Sequence, residues 1–307
     1  TPHPPPHADW FSDAGARAAR YRDIIARYRH LDAFDVRAAP APPARVSVLV
    51  PTLDEAEYVV DAVRSLALQT LRRDHQQKVE LVLVDSGSRD GTRERAAPFV
   101  DRIVSAPRGK LSALVAGVRK ARGDIVVEAD ADGWYPPGWL ARMVEPFVRP
   151  GVVGVRGDFV YYDSPLLRPL SPLRGPLFRA LGNFPGGVRA YRREAFLATG
   201  GFRLPRDERD FWAVWPEEEF RFRRRLEARG RVVDAPDAVC FKSARRGDPL
   251  FVRDPRVDNF RRTLAERGRF SDGVTDALYR ARRALRPRLP AGFFSGGTAG
   301  MDVYPRR

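Results

Sequence analysis

Asp130 and Asp132, separated by Ala131, close the run Asp124-Ile125-Val126-Val127-Glu128-Ala129 and precede the turn-rich Gly133-Trp134-Tyr135-Pro136-Pro137-Gly138. Two carboxylates one residue apart at the mouth of a buried strand are costly unless something positive binds them. A divalent cation held by hard oxygens and bridging to a diphosphate is the usual solution. The pair therefore points to chemistry on a nucleotide-diphosphate donor, with Mn2+ or Mg2+ as cofactor. The plainer alternative is a strand-end turn with solvated carboxylates.

Five further clusters, and several tryptophans, have the right residue types. Pro51, Thr52, Asp54 and Glu55 follow the apolar run 46–50; their carboxylates either cap the next helix or face a ligand. Asp85 ends the run 79–84 and could accept a hydrogen bond from a base N–H, or could serve the turn. Asp90-Gly91 already supplies that turn. Glu217-Glu218-Glu219 follow Pro216, where acidic residues complement a helix dipole or act as a general base. Gly186-Gly187 lets the main chain come close to a ligand. The run Lys242-Ser243-Ala244-Arg245-Arg246 is either an exposed basic loop or a phosphate contact, and Trp134, Trp139, Trp212 and Trp215 are core residues or sugar platforms.

These clusters need elements to hold them. Residues 45–50, 79–84, 102–105 and 124–129 read as strands, and 55–71, 91–100 and 110–122 as the helices between them. That alternation predicts an α/β fold with a mostly parallel central sheet covered by helices. Ligands of such sheets lie beyond the carboxyl ends of the strands, where residues 51–55, 85–92 and 130–132 all fall. Beyond residue 155 the pattern loosens. Residues 164–185 read as loops with a short helix, 217–229 as a helix, and 232–233 and 239–241 as short strands. Ahead of the sheet, 8–31 has helical periodicity and 39–43 is a Pro-rich linker. Three regions result: an N-terminal extension (1–44), a main domain (45–250, halves 45–132 and 133–250), and two basic helices with a Gly-rich tail (251–307).

Net charge is +15 over 307 residues, and residues 251–307 carry 13 Arg against 6 acids, a net +7. Only Lys78, Lys110, Lys120 and Lys242 are lysines, so part of the arginine excess is compositional. The charge still favours an anionic partner: phosphates, a nucleotide or an acidic membrane surface. No apolar run is long enough to span a bilayer, no secretory leader stands at Thr1, and the single Cys240 leaves no internal disulfide. The expectation is a cytoplasmic protein, peripheral to a membrane if the basic helices at 254–285 rest on anionic lipid.

Taken in order, the motifs resemble family 2 glycosyltransferases with the GT-A fold, over residues 45–247. Val48-Leu49-Val50-Pro51-Thr52-Leu53-Asp54-Glu55 is similar to the family's opening strand and turn. Leu83-Val84-Asp85-Ser86-Gly87-Ser88-Arg89-Asp90-Gly91-Thr92 resembles its second strand and D-x-S-x-D-G-T turn, and Gly109-Lys110 its next helix start. Asp130-Ala131-Asp132 resembles its metal motif, and Gly200-Gly201-Phe202 and Glu217-Glu218-Glu219 its acceptor-side motifs.

The resemblance implies a metal-dependent, inverting transfer from a nucleotide-sugar donor, UDP-sugar ahead of GDP-sugar, to an acceptor hydroxyl. The acceptor would be a glycan, a lipid-linked group or a protein. On that reading Pro51, Thr52, Asp54, Glu55 and Asp85 lie near the nucleoside, and Lys110, Gly187, Arg245 and Arg246 on the donor side. Asp132 is the metal ligand, with Asp130 beside it as second ligand or ribose contact. Glu219 is the base, with Glu218 next in line. The chain departs from the family pattern in having Glu219 where Asp is usual, and in having no His near the metal motif.

Three rival readings are weaker. Nucleic-acid binding rests on charge and on the basic helices at 254–285, but the aromatic residues are not interleaved with the basic ones, and the carboxylates at 130 and 132 would repel phosphate without a metal. A dehydrogenase or nucleotidyltransferase would need a glycine-rich first turn, where this chain has Pro51-Thr52-Leu53; Gly109-Lys110-Leu111 is not a P-loop. A non-catalytic scaffold of the same fold would not need Asp130 and Asp132.

Overall fold

The computed structural model describes Phe34 and residues 38–162, 182–204 and 217–243. The helix expected at 8–31, the segment 164–181, Trp212, Trp215, Arg245, Arg246, the basic helices at 254–285 and the Gly-rich tail lie outside these residues.

Four apolar strands form the first half of the sheet: β1 (Val46–Thr52), β2 (Val79–Asp85), β3 (Arg102–Ser105) and β4 (Ile125–Ala129). They are parallel, in the order β3-β2-β1-β4. Strands buried on both faces read as near-continuous apolar runs, as these do. Alternate residues feed two core layers: Val48 and Val50 pack with Val59, Val63 and Leu66, and Leu49 with Leu111, Leu114 and Val118.

Helices cover both faces. α1 (Val59–Ala67) buries Val59, Ala62, Val63 and Leu66, a stripe at helical spacing. It is shorter than the predicted 55–71. Residues 55–58 instead form a turn in which the Tyr58 and Val59 N–H groups donate to the Glu55 carbonyl. The far end breaks at Gln69, which precedes the short α2 (Thr70–Asp74). The buried Gln69 amide donates to the Tyr135 and Pro136 carbonyls at 3.0 and 2.8 Å and accepts from Leu140 N–H at 2.8 Å. α3 (Thr92–Ala96) starts after Gly91, whose φ is 88°. α4 (Lys110–Lys120) lies so close to the sheet that a Cβ on Gly117 would come 2.9 Å from Val84.

The second half holds strands that the sequence pattern did not reveal. After β5 (Gly133–Trp134) and α5 (Trp139–Val144) come β6 (Val152–Tyr161), β7 (Val188–Arg192), α6 (Arg193–Ala198), a π-helical turn (Glu217–Arg221), α7 (Phe222–Glu227) and β8 (Arg231–Lys242). β8 is one twelve-residue strand rather than the two short ones expected. The full order is β3-β2-β1-β4-β7-β6-β8-β5. β7 is antiparallel to β4 and β6, β8 is parallel to β6, and β5 is antiparallel to β8.

Two registers position the site. Thr52 pairs with Asp85, which levels the carboxyl ends of β1 and β2. Gly133 pairs with Lys242, which sets the end of β8 beside Asp132. Phe34 lies 6.0 Å from each of the Trp134 and Phe241 rings and packs on that strand pair. Among the described residues no helix is long and apolar enough to cross a membrane.

Candidate functional site at the strand ends

The first part of the site lies where β1 and β2 end. Asp85 is 1% exposed. Its carboxylate accepts from the Gly87 N–H at 3.1 Å and the Ser88 N–H at 3.3 Å, and Arg93 Nη1 lies 3.7 Å away. Its register partner Thr52 is buried beside the half-buried Pro51, and Thr52 Oγ1 has no hydrogen-bond partner among the described residues. A buried hydroxyl without a partner is an uncommon cost.

The turns after β1 and β2 are tied to each other. Asp54, at φ 52°, donates its N–H to Ser88 Oγ at 2.9 Å and accepts from Arg89 N–H at 2.8 Å. Glu55 is buried, and its N–H donates to Thr92 Oγ1 at 2.8 Å. Asp90 accepts from Ala56 N–H at 2.9 Å and from the Thr92 N–H at 3.0 Å. Burial opposes ionisation of Asp90, but the Thr92 hydroxyl and these N–H groups outweigh it and hold the carboxyl below its usual value. Asp54 and Asp90 thus tie the two turns together, and Asp54 itself is exposed.

The second part is a chain of charges. Lys110, the first residue of α4, sits 2.7 Å from Glu218 Oε1 and 3.8 Å from Asp130 Oδ1. Lys242 sits 2.6 Å from Asp130 Oδ2 and donates to the Gly186 carbonyl at 2.7 Å. Burial works against the charged form of both lysines, yet the neighbouring carboxylates prevail and raise both above the ordinary lysine value. Both therefore stay protonated at neutral pH.

Gly186 and Gly187 close this cluster. A Cβ on Gly186 would collide with Glu218 Oε1, and one on Gly187, at φ 73°, with the Asp130 carboxylate. At Gly187 the left-handed backbone adds a second reason for glycine. Asp132 is half-buried, and its carbonyl accepts from Ser243 N–H at 3.2 Å.

The two acidic candidates from the π-helical turn have different surroundings. Glu218 is 7% exposed, bound to Lys110, and 3.7 Å from Arg189 Nη2. Glu219 is half-buried, and its Oε2 accepts from the Asn183 amide at 2.5 Å. The site residues that sequence reasoning passed over are Lys242 as a carboxylate partner, Asn183, Arg189 and Glu128. The last two were legible as charges inside apolar strands.

A divalent ion here would meet the right kind of donor, the hard oxygens of Asp130 and Asp132. No group of three or more His, Cys, Asp or Glu side chains is placed to hold one among the described residues. The residues fit an ion that takes one or two carboxylates and completes its shell with phosphate and water, a habit of Mg2+.

A family model described as Glycosyl transferase family 2 matches residues 47–210. An undecaprenyl-phosphate 4-deoxy-4-formamido-L-arabinose transferase of Pseudomonas fluorescens (strain Pf0-1) is 35% identical over 179 residues, 52% of this chain and 51% of its own length. The transferase of the same name from Proteus mirabilis (strain HI4320) is 32% identical over 165 residues, 48% of this chain and 49% of its own. The chain thus spans about half the length of these relatives. Among solved structures, the mannosyltransferase PcManGT from Pyrobaculum calidifontis, in complex with GDP-Man and Mn2+, superposes with a TM-score of 0.50 at 24% identity. That match covers 94% of this chain and 83% of the other, and it shows a shared fold.

Proposed function

Since this chain belongs to glycosyl transferase family 2 and is a glycosyltransferase with a GT-A fold, we propose that it moves a sugar from a nucleotide-diphosphate donor to an acceptor with inversion. The observation that carries the reading is Lys110, whose ammonium joins Asp130 on the donor side to Glu218 on the acceptor side. Donor and acceptor groups then meet at one place beyond the strand ends.

The base and ribose of the donor lie against Thr52, Glu55 and Asp85, where the unpartnered Thr52 hydroxyl finds its hydrogen bond. Lys110 faces the diphosphate and the backbone of Gly187 lies along the sugar. Arg245 and Arg246 are donor-side contacts in the same reading. Mn2+ or Mg2+, held by Asp132 with Asp130 beside it, would supply positive charge to the leaving diphosphate.

Glu219 is the general base. Asn183 fixes its orientation, whereas Glu218 is already committed to Lys110. It takes the proton of the acceptor hydroxyl as that oxygen bonds to the anomeric carbon and the bond to the diphosphate breaks on the opposite face. UDP is the first candidate nucleotide. The GDP-Man bound by the mannosyltransferase of the same fold keeps GDP as the second.

A second reading of the acceptor draws on the relatives named for undecaprenyl phosphate. A lipid phosphate acceptor would suit a protein working on the cytoplasmic face of a membrane, reached through the basic segment at 254–285. A phosphate oxygen is already anionic near neutral pH and needs no base. Transfer to hydroxyl and to polyprenyl-phosphate acceptors, compared in wild type and Glu219→Gln, separates the two. Loss only with hydroxyl acceptors supports the base role. Equal rates with every acceptor would remove it.

A further inference from the structure

We propose that Lys242 is the resident counter-cation of Asp130 and competes with a divalent ion for that carboxylate, so that the ion binds well only once the donor diphosphate is present. The inference rests on the donor-site reading above and deepens it. β8 delivers Lys242 opposite Gly133, one residue after Asp132. Its ammonium meets Asp130 Oδ2 at 2.6 Å and the Gly186 carbonyl at 2.7 Å, and lies 4.5 Å from the centre of the Phe159 ring. The lysine side chain is 8% exposed, so little water weakens the attraction. The other oxygen of Asp130 faces Lys110 at 3.8 Å.

Each Asp130 oxygen therefore looks at an ammonium, and Gly187 fills the space beside the carboxylate so closely that a side chain there would collide. A divalent ion approaching Asp130 meets the two ammonium groups of Lys110 and Lys242 on its oxygens. The negative charge of a diphosphate reverses that balance, because its oxygens satisfy the lysines and the ion together. Lys242 is thus a positioning residue that sets the order of assembly.

The test is Mn2+ titration followed by the electron-paramagnetic signal of free Mn2+, with and without UDP or GDP, on wild type, Lys242→Met and Lys242→Arg. Without nucleotide, Lys242→Met binds Mn2+ at least tenfold tighter than wild type, and Lys242→Arg stays at the wild-type level. Structural damage would not produce a gain. Lys242→Gln carries the same test if the Met variant is not folded by circular dichroism. Mn2+ binding that depends on nucleotide in wild type but is unchanged or weaker in both neutral variants overturns the proposal alone. No Mn2+ binding by any variant under any condition overturns the donor-site reading, and the role of Lys242 with it.

Discussion

Glu128 and Arg189 stand opposite each other across the β4–β7 ladder, and their carboxylate and guanidinium meet at 2.8 Å with side chains 1% and 0% exposed. Tyr191 donates its hydroxyl to the other Glu128 oxygen at 2.8 Å. Arg189 also donates to the Phe184 and Glu218 carbonyls at 3.0 and 2.6 Å, and its guanidinium lies 4.9 Å from the Phe202 ring centre. A buried pair inside the sheet thereby anchors the backbone of the residue that holds Lys110.

Removing one member of that pair leaves a buried charge alone. Arg189→Met is expected to lower stability by about 3–5 kcal/mol. The double variant Glu128→Leu/Arg189→Met recovers a good part of the loss, because no charge is left unpaired. Urea unfolding of the three proteins measures both. A double variant as unstable as the single would show that the hydrogen bonds of Arg189 to Phe184 and Glu218 matter more than its charge.

Gly187→Ala is expected to weaken nucleotide binding at least tenfold. The residue sits at φ 73°, and its new Cβ would collide with the Asp130 carboxylate. The backbone strain alone costs about 1–2 kcal/mol. The thermal midpoint reports the strain, and nucleotide titration reports the displacement of Asp130. Unchanged nucleotide affinity would place the donor away from this loop.

Asp90 makes part of the stability depend on pH. Its carboxyl is held below the usual value in the folded protein, so its contribution is present above the unfolded value, about 3.9. It is lost as pH falls through the lower, folded value. Wild type is expected to melt higher than Asp90→Asn at pH 7, and the two midpoints converge as pH falls below about 4. A difference that persists unchanged at pH 3 would show that the Asp90 charge is not what ties the Ala56 and Thr92 N–H groups.

Glu219→Gln is expected to cut kcat for a hydroxyl acceptor by about 10²–10⁴, the usual range for a lost general base. Its affinity for the nucleotide stays within a factor of two or three, since the proposed function puts this side chain on the acceptor side. Glu218→Gln behaves differently. It frees Lys110 and disturbs the donor side, so the nucleotide affinity falls. Steady-state rates and nucleotide titrations on both variants distinguish them.

The first half of the molecule was legible because its strands are buried on both faces and read as apolar runs, broken inside only by single polar residues such as Ser47, Glu80 and Glu128. Thr52, Asp85, Asp130 and Asp132 stood out as polar groups closing apolar runs, and their order carried the family resemblance. The second half was hidden for physical reasons. β6 carries Gly154, Arg156, Gly157 and Asp158, which break the alternation of a strand. Gly157 is needed because a Cβ there would come 2.7 Å from Met143 Sδ and 2.8 Å from the Ala238 carbonyl. β8 carries Asp234, Pro236 and Asp237 in its exposed middle, which split it into two apparent strands. Pairing between distant segments made Lys242 a partner of Asp130, and no local pattern encodes that register.

The measurement that bears most directly on the central claim is calorimetric titration of UDP and GDP into wild type and Asp132→Ala, each with and without Mn2+. Binding of one nucleotide that strengthens with Mn2+ in wild type and loses that gain in Asp132→Ala is the predicted result. It would establish a nucleotide-diphosphate site at the strand ends. Binding of neither nucleotide under any condition would contradict the account.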